Sequence, residues 1–226
     1  MAPRNSSGGR LPAANGDEIN SFAVGCCLCP RLVDYRADNR AANPDWHNAP
    51  APPFGDADAR VLIVGLAPGR LGGNRTGRVF TGDAAGRMLF ETLIRTGFAS
   101  GTYSDDGHDD VQLIDCRITN AVLCAPPGNA PTPLEQATCR PNLVALIGEM
   151  KRLRVIVTLG DVARRNVLRA LGLGVAAMSG GHGVTADMAG YRVINSYHCS
   201  RLNMNTGRLT VDGFKDIFDR AREGLS

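Results

Sequence analysis

An α/β fold, a parallel sheet covered by helices on both faces, follows from three features of the 226-residue sequence. Two short runs, Val61-Leu62-Ile63-Val64 and Val155-Ile156-Val157-Thr158-Leu159, are continuously apolar or β-branched, as strands buried on both faces are. Stretches with apolar residues at helical spacing alternate with them, such as Met88, Leu89 and Leu93, or Leu143, Leu146, Ile147 and Met150. The strand-then-helix order repeats four times, and parallel strands need such crossovers to return the chain to the edge where the next strand begins. The expected architecture is three-layer α/β/α, with every strand-to-helix loop opening on one edge of the sheet.

Taken in order, residues 1–16 are rich in Ser, Gly, Pro and Ala and read as a disordered tail, leaving 17–226 as one domain. Asp17 to Val24 reads as a short helix stopped by Gly25, before Cys26-Cys27-Leu28-Cys29-Pro30 and a proline-rich loop from Asn43 to Pro53. The first strand ends in Gly65-Leu66-Ala67-Pro68-Gly69. A loop with Arg70, Arg75, Arg78 and Phe80 then leads to a helix from about Ala84 to Arg95, with Asp83 where an N-cap belongs. A second strand falls within Val111 to Asn120. Thr132-Pro133-Leu134-Glu135 is a capping box with proline at the first helical position, and the helix it opens is expected to kink or restart at Pro141. The third strand gives way at Gly160 to a helix capped by Asp161. The fourth, Tyr191 to Ser196, runs into a polar loop from His198 to Thr210, and Thr210 caps a last helix, Val211 to Glu223.

Composition narrows the function classes. Apolar residues make up 43% of the chain, enough for a sizeable core, and the net charge of +3 permits a polyanionic partner without demanding one. No apolar run has the length of a membrane span, and Met1 to Asn15 lacks the apolar centre of a secretory signal, so a cytoplasmic, reducing location is expected. Seven cysteines there point to metal ligation or reactivity rather than disulfides. Cys26 and Cys29, with Cys124 and Cys139, can supply four thiolates to zinc or to an iron–sulfur cluster; free or buried thiols are the alternative. Cys27, Cys116 and Cys199 read as spare.

The remaining motifs gather at strand ends, where open α/β sheets bind ligands. Gly65 to Gly69 matches neither the dinucleotide glycine pattern nor a phosphate loop with its lysine, which argues against nucleotide-cofactor chemistry. Arginines among glycines beside an aromatic suit a phosphate-tracking surface with a stacking platform, unless Phe80 simply plugs the core. Asn120 offers an amide that pairs with a donor and an acceptor at once on a pyrimidine edge, although turns also use asparagine. In the last loop His198, Ser200, Leu202 and Asn203 read singly as structural residues; their combination on one cleft edge with arginines and an aromatic points to a site.

Together these stretches resemble the uracil-DNA glycosylase superfamily in its iron–sulfur family 5, or type B, branch. The resemblance spans Cys26 to Thr210. It is carried by Cys26-x2-Cys29-x-Arg31-Leu32, Gly65-Leu66-Ala67-Pro68, Gly73-Asn74-Arg75-Thr76-Gly77-Arg78-x-Phe80-Thr81-Gly82-Asp83, Asn120-Ala121-Val122-x-Cys124-Ala125-Pro126-Pro127 and His198-x-Ser200-x-Leu202-Asn203-x3-Gly207-Arg208-Leu209-Thr210. It implies a central four-stranded parallel sheet, a monomer without an obligate protein partner, and a structural [4Fe-4S] cluster on Cys26, Cys29, Cys124 and Cys139. It also implies uracil-containing DNA as substrate, base flipping, and hydrolytic base release without a lyase step. In this resemblance Phe80 stacks on the base, Asn120 reads its edge and His198 hydrogen-bonds uracil O2. Gly65, Ala67 and Asn203 complete the pocket, and Asp83 stands as the water-activating acid. Leu202, or Arg201 beside it, fills the vacated stack, while Arg70, Arg75, Arg78, Ser200 and Arg208 contact the DNA.

Two positions depart from the family's usual His-Pro-Ser-Pro-Leu-Asn: Cys199 and Arg201 replace both prolines, so a more mobile loop is expected. The resemblance also implies that other deaminated bases, such as hypoxanthine or xanthine, are accepted besides uracil. Two further readings stay open from the sequence: an iron–sulfur module that binds damaged or abasic DNA with little catalysis, and a zinc-stapled nucleotide-binding enzyme.

Overall fold

The computed structural model describes residues 25–225; the N-terminal tail and the helix expected before Gly25 lie outside the described residues. Helix α1 (Pro30–Ala42) is followed by β1 (Phe54–Gly55), β2 (Val61–Gly65), α2 (Gly73–Thr76), α3 (Ala84–Arg95), β3 (Ala99–Ser100), β4 (Gln112–Leu113) and β5 (Cys116–Asn120). Then come α4 (Pro133–Glu149), β6 (Val155–Leu159), α5 (Asp161–Ala170), β7 (Thr185–Met188), β8 (Tyr191–Ser196), α6 (Arg201–Asn205) and α7 (Val211–Glu223).

The main sheet has the order β1-β5-β2-β6-β8-β7. Its four inner strands are parallel, and the short antiparallel strands β1 and β7 close the edges. The expected four-stranded parallel core is therefore extended to six. The two-residue β1 and the half-exposed β7 leave too little periodicity to read in a sequence. Side chains alternate along β2 to build both faces. Val61 and Ile63 join Leu89 and Phe90 of α3 and Phe214 and Phe218 of α7, whereas Leu62 and Val64 join Leu146 and Ile147 of α4 and Val167 and Leu168 of α5. The chain passes from β2 to β5 on one side, then crosses back to β6 on the other. That reversal opens a crevice at the carboxyl ends of these strands.

Local chemistry sets the helix boundaries. Asp83 Oδ1 accepts from Gly86 N at 2.9 Å and so caps α3, and Thr132 and Glu135 form a reciprocal capping box on α4. Helix α4 runs through Pro141 rather than restarting there, held to the core by Leu143, Leu146 and Ile147. Asp161 is the first residue of α5 and not its cap; Gly160 takes that position, and the Asp161 carboxylate instead pairs with Arg164 and Arg165. Helix α1 has no apolar periodicity because its buried positions are Leu32, Arg36 and Asn39, a largely polar stripe.

Candidate active site

Strands β2 and β5 end side by side, with Gly65 opposite Asn120. Glycine is required at position 65, because a methyl group there would stand 2.4 Å from both Phe80 Cζ and Asn120 Oδ1. Phe80 adopts φ +55, a left-handed value that a bulky residue takes only when its surroundings impose it. Its ring is 8% exposed and stacks near His198, with centroids 6.1 Å apart and planes at 27°. Phe80 thus belongs to the core and lines the crevice at once.

Asn120 is 3% exposed, and its Oδ1 has no hydrogen-bond partner among the described residues. A buried acceptor left open costs about 1–3 kcal/mol. Such an atom in a folded protein calls for a partner that the described residues do not provide.

His198 follows β8, where burial lowers its pKa below the usual 6.5 and the charge of Asp83 counters this only in part. The imidazole is therefore neutral at pH 7, with one N–H and one lone pair. Asp83 divides its carboxylate. Oδ1 caps α3, while Oδ2 lies against the turn before α2, 3.0 Å and 2.8 Å from where methyl groups on Gly69 and Gly72 would be.

Three ties fix the His198 loop. Ser200 Oγ accepts from Asn203 N at 3.5 Å as the cap of α6, and Asn203 Nδ2 donates to His198 O at 2.8 Å. Cys199 is fully buried, and its Sγ donates to Ala85 O at 3.4 Å. Of these ties only the one from Cys199 to Ala85 is made by a residue that stands where the family has proline. Ser200 and Asn203 brace the loop, Asn203 through its amide N–H to the His198 carbonyl. Arg201 is exposed at the first position of α6, a place where proline is tolerated, and Leu202 beside it is 72% exposed. His182, which the sequence marked only by its glycine-rich setting, supports the loop from below. Its Nδ1 accepts from Tyr197 N at 3.3 Å, so Nε2 carries the proton and donates to Gly213 O at 3.0 Å.

The arginines divide by what they touch. Arg78 forms a two-point pair with Asp109 at 2.7 and 2.5 Å, with side chains 14% and 2% exposed, among the rings of Phe54, Phe90 and Tyr103. The Arg78 hydrogen bonds hold the Asp109 carboxyl down at about 2. Arg78, expected among the DNA contacts, is a buried cation here, with its guanidinium engaged inside the protein by Asp109. Arg75 donates to Leu71 O and Asp105 O, at 2.9 Å each. Arg208 is exposed and lies 4.3 Å from the centroid of the Tyr197 ring. Arg70 bonds Asn39 and covers Trp46, a residue the motifs did not mark.

Cys26, Cys29, Cys124 and Cys139 line one cavity together with Leu32 and Val122. Ala67, expected in the substrate pocket, has its side chain packed against this thiol cluster. Three N–H donors aim at sulfur: Arg36 Nη1 at Cys124 Sγ (3.5 Å), and Leu123 N and Asn142 Nδ2 at Cys139 Sγ (3.4 and 3.6 Å). Burial, with a smaller push from the other three cysteines and against the pull of Arg36, raises the Cys124 thiol to about 12. Among the described residues no three His, Cys, Asp or Glu side chains are already drawn into a metal-ion site. Convergent thiols facing N–H donors are nonetheless a donor set that suits a thiolate-ligated group.

The sequence pattern of the uracil DNA glycosylase superfamily matches residues 52–222, from ahead of β1 to near the end of α7. The chain belongs to that superfamily. Within it, the chain is 44% identical over 209 residues to the Type-5 uracil-DNA glycosylase of Pyrobaculum aerophilum, covering 91% of each. It is 45% identical to the Type-5 uracil-DNA glycosylase of Mycobacterium leprae, over 91% of this chain and 94% of the relative. The corresponding protein of Thermus thermophilus is 43% identical over 87% and 92%. No helix among the described residues is long and apolar enough to cross a membrane.

Proposed function

We propose that the protein is a uracil-DNA glycosylase that hydrolyses the C1′–N1 bond of a flipped-out deoxyuridine. The observation that carries this reading is the buried, unpartnered Oδ1 of Asn120, set against Phe80 at the end of the sheet. An acceptor there pairs with the N3–H of uracil, a donor that cytosine lacks, while the amide N–H faces O4. Phe80 gives the base a ring face. Neutral His198 donates to O2.

Bond breaking leaves an oxocarbenium-like sugar and a uracil anion. A donor aimed at O2 stabilises that anion as an oxyanion hole does, an effect of about 10²–10³ in rate. Asp83 aligns the attacking water through Oδ2 while Oδ1 keeps the helix cap. Lys151 and Lys215 lie outside the strand-end loops, so water rather than an amine attacks, and no lyase step follows. Extruding the nucleotide costs a few kcal/mol; exposed Leu202 fills the gap it leaves, and Arg70 and Arg208 hold phosphates.

The same reading assigns a [4Fe-4S] cluster to Cys26, Cys29, Cys124 and Cys139. Bound there, it supplies a structural cross-link between the segment before α1, the loop after β5, and α4. Iron and sulfide analysis, with absorption near 400 nm that C124S loses, tests this assignment.

Free uracil released from a duplex carrying one U·G pair tests the function. Release by the wild-type protein, and its loss in N120A, supports the reading. Tight DNA binding with no release would leave instead an iron–sulfur module that recognises damaged or abasic sites. Duplexes carrying hypoxanthine or xanthine define the range of bases.

A further inference from the structure

We propose that Asn39 and Trp46 hold Arg70 as a ready-made clamp for one DNA phosphate, an extension that rests on the glycosylase reading above. Arg70 Nε donates to Asn39 Oδ1 at 2.6 Å, and the guanidinium lies over the Trp46 indole, 5.2 Å from its centroid. Among the described residues both Nη groups keep no partner. With Nε and one flat face engaged, the side chain has lost most of its freedom. Its remaining edge, Nη1 and Nη2, is the fork that grips a phosphate with two parallel hydrogen bonds. Arg75 and Arg78 differ: their donors are engaged by Leu71, Asp105 and Asp109.

The holders are themselves held. Asn39 Nδ2 donates to Tyr35 O at 2.7 Å, which turns Oδ1 toward Arg70. Asn39 continues the buried stripe of α1 from Arg36, and Arg36 is tied to Cys124 Sγ and to Cys26 O at the thiol pocket. The Trp46 segment is stitched to the Arg70 loop. His47 N donates to Arg75 O at 3.1 Å, Asn48 N to Asn74 O at 3.0 Å, and Asn74 Nδ2 to Asn48 Oδ1 at 2.9 Å. Burying polar side chains along a helix face is the reverse of ordinary core packing, and here one of them, Asn39, fixes a cation at the edge of the crevice.

Trp46 is the single tryptophan of the chain, so intrinsic fluorescence reports on the clamp directly. The full-length protein is titrated with duplex DNA carrying a tetrahydrofuran abasic analogue between about 50 and 200 mM salt, following Trp46 emission and DNA anisotropy. Emission is expected to change on binding. R70A should lower the slope of log affinity against log salt by about 0.9, one phosphate's share, which makes its binding about 3.5-fold less salt-sensitive over that range. N39A should move the slope the same way and add nothing in the R70A background. R70K keeps a charge but cannot serve Asn39 and phosphate together, so N39A should add nothing there either. Thermal melts check folding. If N39A unfolds, N39D keeps the side-chain shape and should neutralise the clamp with the same loss of slope. An unchanged slope in R70A, additive losses for N39A and R70A, or flat Trp46 emission at saturating DNA overturns the proposal. Uracil release is read separately: clamp signatures without release sink the glycosylase reading alone, and release with an R70A slope equal to wild type sinks the clamp alone.

Discussion

Replacing Asn120 by alanine separates recognition from stability. The side chain is 3% exposed, and its Oδ1 is buried without a partner. Truncating a buried side chain of this size costs about 2–5 kcal/mol in an apolar core. Here the same truncation removes an unsatisfied acceptor, which returns about 1–3 kcal/mol. The central values leave N120A about 1.5 kcal/mol less stable than wild type, a fall in Tm of about 3–6 °C for a chain of this length. Uracil loses two hydrogen bonds in the same variant. At about 1–3 kcal/mol each, and with tenfold in rate per about 1.4 kcal/mol, base release should fall by about 30-fold to about 10⁴-fold. Calorimetric melting and single-turnover release with protein in excess read the two quantities. A Tm drop beyond about 10 °C would make the amide a structural residue, and a rate loss below about tenfold would remove it from base recognition.

Other perturbations divide along the same lines. D83N keeps a good N-cap on α3 and should keep Tm but lose base release, whereas D83A should also lose about 0.5–2 kcal/mol of stability; D83N with full activity would leave Asp83 as a cap only. Burial holds the His198 pKa below 6.5, so the unfolded chain binds more protons just below that pH; the stability is full above 6.5 and is lost as pH falls toward the folded pKa. H198Q should therefore flatten the dependence of Tm on pH just below 6.5, and an unchanged slope contradicts the burial of a neutral ring. R78A breaks a buried ion pair and should cost about 3–5 kcal/mol while leaving the salt dependence of DNA binding as in wild type; a reduced salt slope would return Arg78 to the DNA surface. Asp109, held at about 2 by Arg78, lends stability that is full above 3.8 and lost as pH falls through about 2, so D109N should remove that acid-side decline.

What the sequence reveals depends on how local the cause is. Strands β2 and β6 are legible because burial on both faces forces unbroken apolar runs, and α3 and α4 because their caps sit within three residues of the groups they satisfy. Helix α1 is hidden because it buries Arg36 and Asn39 where periodicity expects leucine. The gathering of Gly65, Phe80, Asp83, Asn120 and His198 at one crevice follows from strand order, so motifs at strand ends suffice to find it. The separate fates of Arg70 and Arg78 do not follow. Both sit in one glycine-rich loop, and each is decided by a residue 31 positions away, Asn39 for one and Asp109 for the other. The Cys199 position shows the same limit, since its bond to Ala85 spans 114 positions.

In the proposed reaction neutral His198 and the open amide of Asn120 act together to recognise and release uracil. The most direct measurement is uracil release from a single U·G duplex by wild type and by H198A, with DNA affinity measured in parallel. Wild type should convert the duplex to one alkali-labile site per uracil. H198A should bind with similar affinity and release uracil about 10²–10³-fold more slowly. A wild-type protein that saturates the duplex and leaves the strand intact after alkali, or an H198A variant as fast as wild type, contradicts the claim.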